Sequence, residues 1–157
     1  MQPAQNLDEL VVWRLASELS DLCDALARAP RAAANRKFCE QLRESSDSVP
    51  ANVAEGFGRY LPKENAHFVR VAKGSLLEAR SWLLKGKRRR YWPESDYEHA
   101  WRLSCRTLKA LLRYLKYLDS CDGELPESIA GPRPAKKRAA RKPKSPEQNP
   151  EPEEPRT

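Results

Sequence analysis

The sequence predicts an all-α protein, an antiparallel up-down-up-down four-helix bundle followed by a disordered C-terminal tail. Three observations carry that reading. Apolar residues recur at spacings of three and four through four long stretches, the repeat of one helical face. No alternating pattern of the β type appears anywhere in the chain. The stretches, 20 to 28 residues each, are joined by short connections, which set consecutive helices antiparallel.

The first helix is expected from about Leu7 to Ala29. Val11, Leu15, Leu19, Leu22 and Leu26 mark its inner face, Asp8 and Glu9 suit the dipole of its first turn, and Pro30 closes it. The second begins near Arg31 and runs through Phe38, Leu42, Ser45, Val49 and Val53 to the region of Gly56 to Gly58. Its periodicity passes through Pro50 without resetting. A proline inside a helix costs about 3 kcal/mol, so a kinked but continuous helix is expected. The third follows Pro62, a favourable first helical residue, with Phe68, Ala72, Ser75, Leu76, Ala79 and Leu83 inward, and ends in the basic run KGKRRR, Lys85 to Arg90. Pro93 breaks the chain. The fourth runs from about Glu94 to Leu118, with Tyr97, Trp101, Cys105, Leu108, Leu112, Leu115 and Leu118 inward.

Residues 1–118 therefore form the bundle and residues 119–157 the tail. Eight prolines and few large apolar residues leave the tail too little surface to bury, which predicts disorder. Within it, GPRPAKKRAARKPK is basic and EQNPEPEEP acidic. Those blocks either attract each other, compete for one partner, or simply aid solubility.

The chain carries 29 Lys and Arg against 22 Asp and Glu, a net charge of +7. Residues 119–157 hold eight of each sign, so the bundle carries the whole excess. That favours a polyanionic partner, nucleic acid first. No apolar run approaches the roughly 20 residues of a membrane span, and MQPAQNLDELVVW lacks the form of a signal peptide. Cys23, Cys39, Cys105 and Cys121 form no CxxC pair, which fits reduced, partly buried thiols in the cytoplasm.

Catalytic chemistry has little to build on. His67 and His99 have no second metal ligand at helical spacing. GFGR follows a helix rather than a strand, so it is not a nucleotide cradle. Ser45, Ser46 and Ser48 lack a GxSxG turn, and Glu55 reads most simply as an ion-pair partner of Arg59 four residues on. No enzyme, metal or cofactor is expected.

Binding has more. Arg70, Lys73 and Arg80 form a stripe on the third helix that continues to Lys85, Lys87, Arg88, Arg89 and Arg90. Arg102, Arg106, Lys109, Arg113 and Lys116, spaced four, three, four and three, give the fourth helix a second basic face. Such faces neutralise phosphates; the plainer reading is two solvated helix faces. Trp82, Tyr91 and Trp92 flank the basic run, placed either to stack on unpaired bases or to pack between helices. A protein-interaction scaffold with an acidic protein partner is the alternative to RNA.

The order Ser48, Val49, Asn52, Val53, Ala54, Glu55, Gly56, Arg59, then Lys63, Glu64, Phe68, then Gly74, Ser75, Leu76, Glu78 carries a resemblance. Over about residues 7–118 the chain resembles the four-helix bundle protein family. That family includes proteins encoded in intervening sequences of large-subunit ribosomal RNA. It is similar in fold to the accessory variability determinant of diversity-generating retroelements. Leu61 stands where the family often has a serine N-cap, and Asn65 where it often has an aromatic. The resemblance implies an RNA-binding homopentamer and, for retroelement members, a reverse-transcriptase partner; it implies no catalytic residue. Asn52, Glu55, Gly56 and Arg59 then read as a packing and assembly joint. Asn52 and Glu55 are expected to be hydrogen-bonded in a buried-looking stretch, so that Asn52→Leu and Glu55→Ala would both damage folding or assembly.

Overall fold

The computed structural model describes residues 4–59 and 61–121. The basic and acidic tail blocks lie outside the described residues. A single 3₁₀ turn, Leu7–Glu9, precedes α1 (Val11–Ala27), α2 (Pro30–Ala33), α3 (Arg36–Phe57), α4 (Pro62–Arg88) and α5 (Glu94–Asp119). The four long helices form a closed square: α1 packs on α3 and α5, and α4 packs on α3 and α5.

The chain enters α1 through the 3₁₀ turn, so Asp8 and Glu9 precede the helix and are not in its first turn. The buried stripe of α1 is Val12, Ala16, Leu19, Cys23 and Leu26. Val11 is 55% exposed, and Leu15 and Leu22 are half-buried. The core side is thus rotated from the sequence expectation toward the small residues, which let neighbouring helices close in. Pro30 does more than end the first helix: it opens α2 as its first residue. The expected second helix is split at Asn35, whose side chain accepts the Phe38 N–H (3.1 Å) and caps α3.

From Arg36 the expected continuity and core face hold. Phe38, Leu42, Ser45, Val49 and Val53 are all buried, and α3 continues through Pro50. Ser45 and Ser46 satisfy their hydroxyls on carbonyls of their own helix, Gln41 (2.7 Å) and Arg43 (3.0 Å).

Leu61 caps α4 without a side-chain bond, and Pro62 is its first residue. Val69, Ala72, Leu76, Ala79 and Leu83 face the core, while Phe68 and Ser75 are half-buried. The helix ends in a Schellman motif. The Tyr91 N–H reaches the Gly86 carbonyl (3.1 Å) and the Arg90 N–H reaches that of Lys87 (2.9 Å). Arg90 sits at the left-handed position, φ 54°, alone in this among the described non-glycine residues. Glycine is the usual occupant there, and a side chain costs about 1 kcal/mol.

On α5 the buried residues are Tyr97, Ala100, Leu103, Ser104, Thr107, Leu111, Leu115 and Leu118. The expected Trp101, Cys105 and Leu108 are half-buried, and Leu112 is 48% exposed. Hydroxyls explain the shift. Ser104 and Thr107 bond to the carbonyls of Trp101 (2.7 Å) and Leu103 (2.9 Å), and Thr107 also reaches that of Leu15 on α1 (3.3 Å). They can therefore be buried at no unpaired cost.

Cys23 and Cys39 are buried, Cys105 and Cys121 half-buried, and all four are free thiols. Burial pushes the Cys23 thiol up to about 12. No helix among the described residues is long and apolar enough to cross a membrane.

Candidate nucleic-acid interface

α5 buries one side and turns the opposite side to solvent. On that outer side Arg102, Arg106, Lys109, Arg113 and Lys116 are all exposed. Along 14 residues they cover about 21 Å of helix. The acids of α5 stay at its ends: Glu94, Asp96 and Glu98 at the start, Asp119 at the finish. Only Arg102 of the five meets a carboxylate among the described residues, Glu98 at 3.6 Å on the helix's first turns. Arg106, Lys109, Arg113 and Lys116 thus stand exposed with no carboxylate partner among the described residues.

The α4 candidates divide differently. Arg70 pairs with Asp119 at 2.9 Å. Arg80 is half-buried between α4 and α5, its guanidinium 4.2 Å from the Trp101 ring centre and near the Cys105 sulfur (3.8 Å). It works as a tie between helices. Lys73 is half-buried, and Arg88 is exposed. Lys85 lies 4.2 Å over the Trp82 ring.

At the α4–α5 corner the aromatic residues mostly pack. Phe38 is the hub, 5.8 Å from Trp82, 4.8 Å from Tyr91 and 5.8 Å from Trp92 between ring centres. Trp92 is buried and donates its indole N–H to the Leu26 carbonyl (2.8 Å). Of the two readings of Trp82, Tyr91 and Trp92, packing accounts for Trp92. Tyr91 is half-buried; its hydroxyl accepts from Asn35 (3.0 Å) and Arg89 (3.1 Å). The Arg89 guanidinium holds that phenol below its ordinary value. Lys87 donates to Glu94 (2.6 Å), and this hydrogen bond holds the ammonium above the usual lysine value. Among the described residues no three His, Cys, Asp or Glu side chains cluster as metal ligands.

The model of the 23S rRNA-intervening sequence protein family matches residues 8–121. The chain belongs to that family. Its fold is also that of a crystal structure from Bacteroides thetaiotaomicron, a protein of unknown function from the S23 ribosomal protein family. The TM-score is 0.62 at 21% identity, over 68% of this chain and 99% of that one. No curated protein matches the chain.

The family pattern of this chain falls at the α3–α4 corner. Asn52 donates to the Ser48 carbonyl (2.7 Å) and hydroxyl (3.0 Å), and that hydroxyl meets Ser75 of α4 at 2.9 Å. Gly56 lies under Asn65 and Phe68: a Cβ there would stand 2.8 Å from the Asn65 Oδ1 and 3.0 Å from the Phe68 Cβ. Arg59 pairs with Glu55 and lies 4.8 Å over the Phe68 ring. Gly56 and the Ser48–Ser75 contact thus bring α3 against α4 here. Glu55 departs from expectation, because it faces solvent. Exposed pairs contribute little, so Glu55→Ala is now expected to shift stability by no more than about 0.5 kcal/mol, checked by urea unfolding.

Two residues escaped the sequence reading. Arg31, which the periodicity marks only as a helix start, donates to the Arg90 carbonyl (3.4 Å) from 59 residues away. Asn65, noted only as a departure, is fully buried and donates to the Tyr114 hydroxyl (2.9 Å). Local spacing carries no signal for either pairing.

Proposed function

We propose that this chain is a non-enzymatic RNA-binding bundle whose phosphate contacts come from the outer face of α5. The carrying observation is the run Arg102, Arg106, Lys109, Arg113 and Lys116, exposed together with a single peripheral carboxylate contact. Cations so placed bind phosphates by releasing counterions. The family name favours ribosomal RNA as the ligand. The homopentamer and the reverse-transcriptase partner rest on the resemblance alone; a ring would array several α5 faces around one RNA.

The test is RNA affinity against salt for the full chain and for the triple variant Arg106→Glu, Lys109→Glu, Arg113→Glu. The variant should lose at least 100-fold in affinity at low salt. Its log–log salt slope should flatten by about two to three, close to one per lost phosphate contact. Unchanged affinity would remove α5 from the interface. A native complex that survives nuclease would favour the acidic-protein partner instead.

A further inference from the structure

The corner of α1 and α2 meets the corner of α4 and α5 at one pole of the bundle, and a cleft of about 650 Å³ opens between them. That size suits a small ligand. Its rim carries Arg31 from α2 and Lys87 and Arg90 from the end of α4, with Glu94 opposite. Lys87 and Glu94 engage each other at 2.6 Å. Arg31 and Arg90 meet no carboxylate among the described residues, yet Arg31 is drawn to the Arg90 backbone by its hydrogen bond to that carbonyl. The Arg31 guanidinium is thus held at the Arg90 backbone, and both arginines line the cleft without a carboxylate partner. Half-buried Tyr91 and exposed Pro93 supply an apolar wall on the same cleft.

Arg90 adds a second observation. It occupies the left-handed position of the Schellman motif, where glycine would be unstrained. Arginine there carries a backbone cost that glycine would not, which points to a role for its side chain.

We infer that this cleft holds one unstacked nucleotide of RNA, its phosphate between Arg31 and Arg90 and its base against the wall of Tyr91 and Pro93. Bidentate guanidinium groups suit a phosphate, and an apolar aromatic wall accepts any base. This deepens the RNA-binding reading and rests on it: α5 holds the backbone, and the cleft selects RNA with an unpaired residue.

The experiment compares two RNA probes, a blunt duplex and the same duplex with a one-nucleotide bulge. It uses the full-length wild type, Arg31→Gln, Arg90→Gly and the α5 triple variant. Wild type should prefer the bulged RNA at least tenfold. Arg31→Gln and Arg90→Gly should cut that preference to twofold or less, and Arg90→Gly should melt no lower than wild type, since glycine relieves the left-handed strain. The α5 variant should weaken both RNAs while keeping the preference in any residual binding. Equal wild-type binding of the two probes overturns the cleft and leaves the α5 reading intact. A preference that survives both cleft variants overturns it too. No binding to either probe overturns both readings.

Discussion

Gly86→Ala will destabilise the bundle by about 2 to 3 kcal/mol, seen as a lower urea midpoint at unchanged slope. Alanine is the better helix former by about 1 kcal/mol, so an ordinary mid-helix site would gain from the change. Here the new methyl would overlap Cη2 and Cζ3 of Trp92 and stand 3.0 Å from Phe38 Cζ. The indole has no easy retreat. It is 7% exposed and tied by its N–H to the Leu26 carbonyl, and Phe38 packs against it. Overpacking a close-packed site costs about 1 to 3 kcal/mol or more, which outweighs the propensity gain. Trp92→Phe removes the overlapped ring atoms. The double variant should therefore be less destabilised than the sum of the singles by at least about 1 kcal/mol. A neutral Gly86→Ala would show that the indole does not lie against α4.

Asn65→Leu will cost about 3 kcal/mol, through a polar contact rather than a steric one alone. Asn65 is fully buried and gives its amide N–H to the Tyr114 hydroxyl. Leucine leaves that part-buried hydroxyl without its donor, a loss of about 1 to 3 kcal/mol, and sets a branched carbon against the backbone of Gly56. Tyr114→Phe alone should cost about 1 to 2 kcal/mol by stranding the amide. The double variant should recover at least about 1 kcal/mol relative to additivity; strict additivity would mean that the two do not interact. The pair also gives a pH signature. Burial pushes the Tyr114 phenol up to about 12, against the opposing pull of the Asn65 hydrogen bond. The folded chain keeps the phenol neutral while an unfolded tyrosine ionises near pH 10. The resulting stability is fully present below about pH 10 and is lost as the pH rises toward about 12. Urea midpoints should fall over that window in wild type and fall less in Tyr114→Phe.

The long helices were legible because large apolar residues dominate the period. On α3 the stripe from Phe38 to Val53 is the core face itself. On α1 and α5 the same logic picked a face one step off. Their cores are lined by Ala16, Cys23, Ala100, Ser104 and Thr107, and a reading weighted to large side chains passes over small and hydroxyl-bearing ones. The basic face of α5 was legible for the converse reason: charged residues at helical spacing have no inside to go to. The polar ties were not. Asn65 with Tyr114 and Arg31 with Arg90 join residues far apart in the chain, and their partners are chosen by helix packing. Charge alone also could not separate Arg80, held between two helices, from the exposed cations of α5.

The square of four long helices has a geometric consequence for engineering. An even number of antiparallel passes brings α1 in and sends α5 out at one pole, beside the α3–α4 corner, and leaves the other two corners together at the far pole. The Val11 start of α1 and the Asp119 end of α5 therefore lie at the pole away from the cleft, about one helix length or 39 Å from it. A short linker joining residue 119 to residue 11 would close the chain at that pole, keep every helix–helix seam and leave the cleft open.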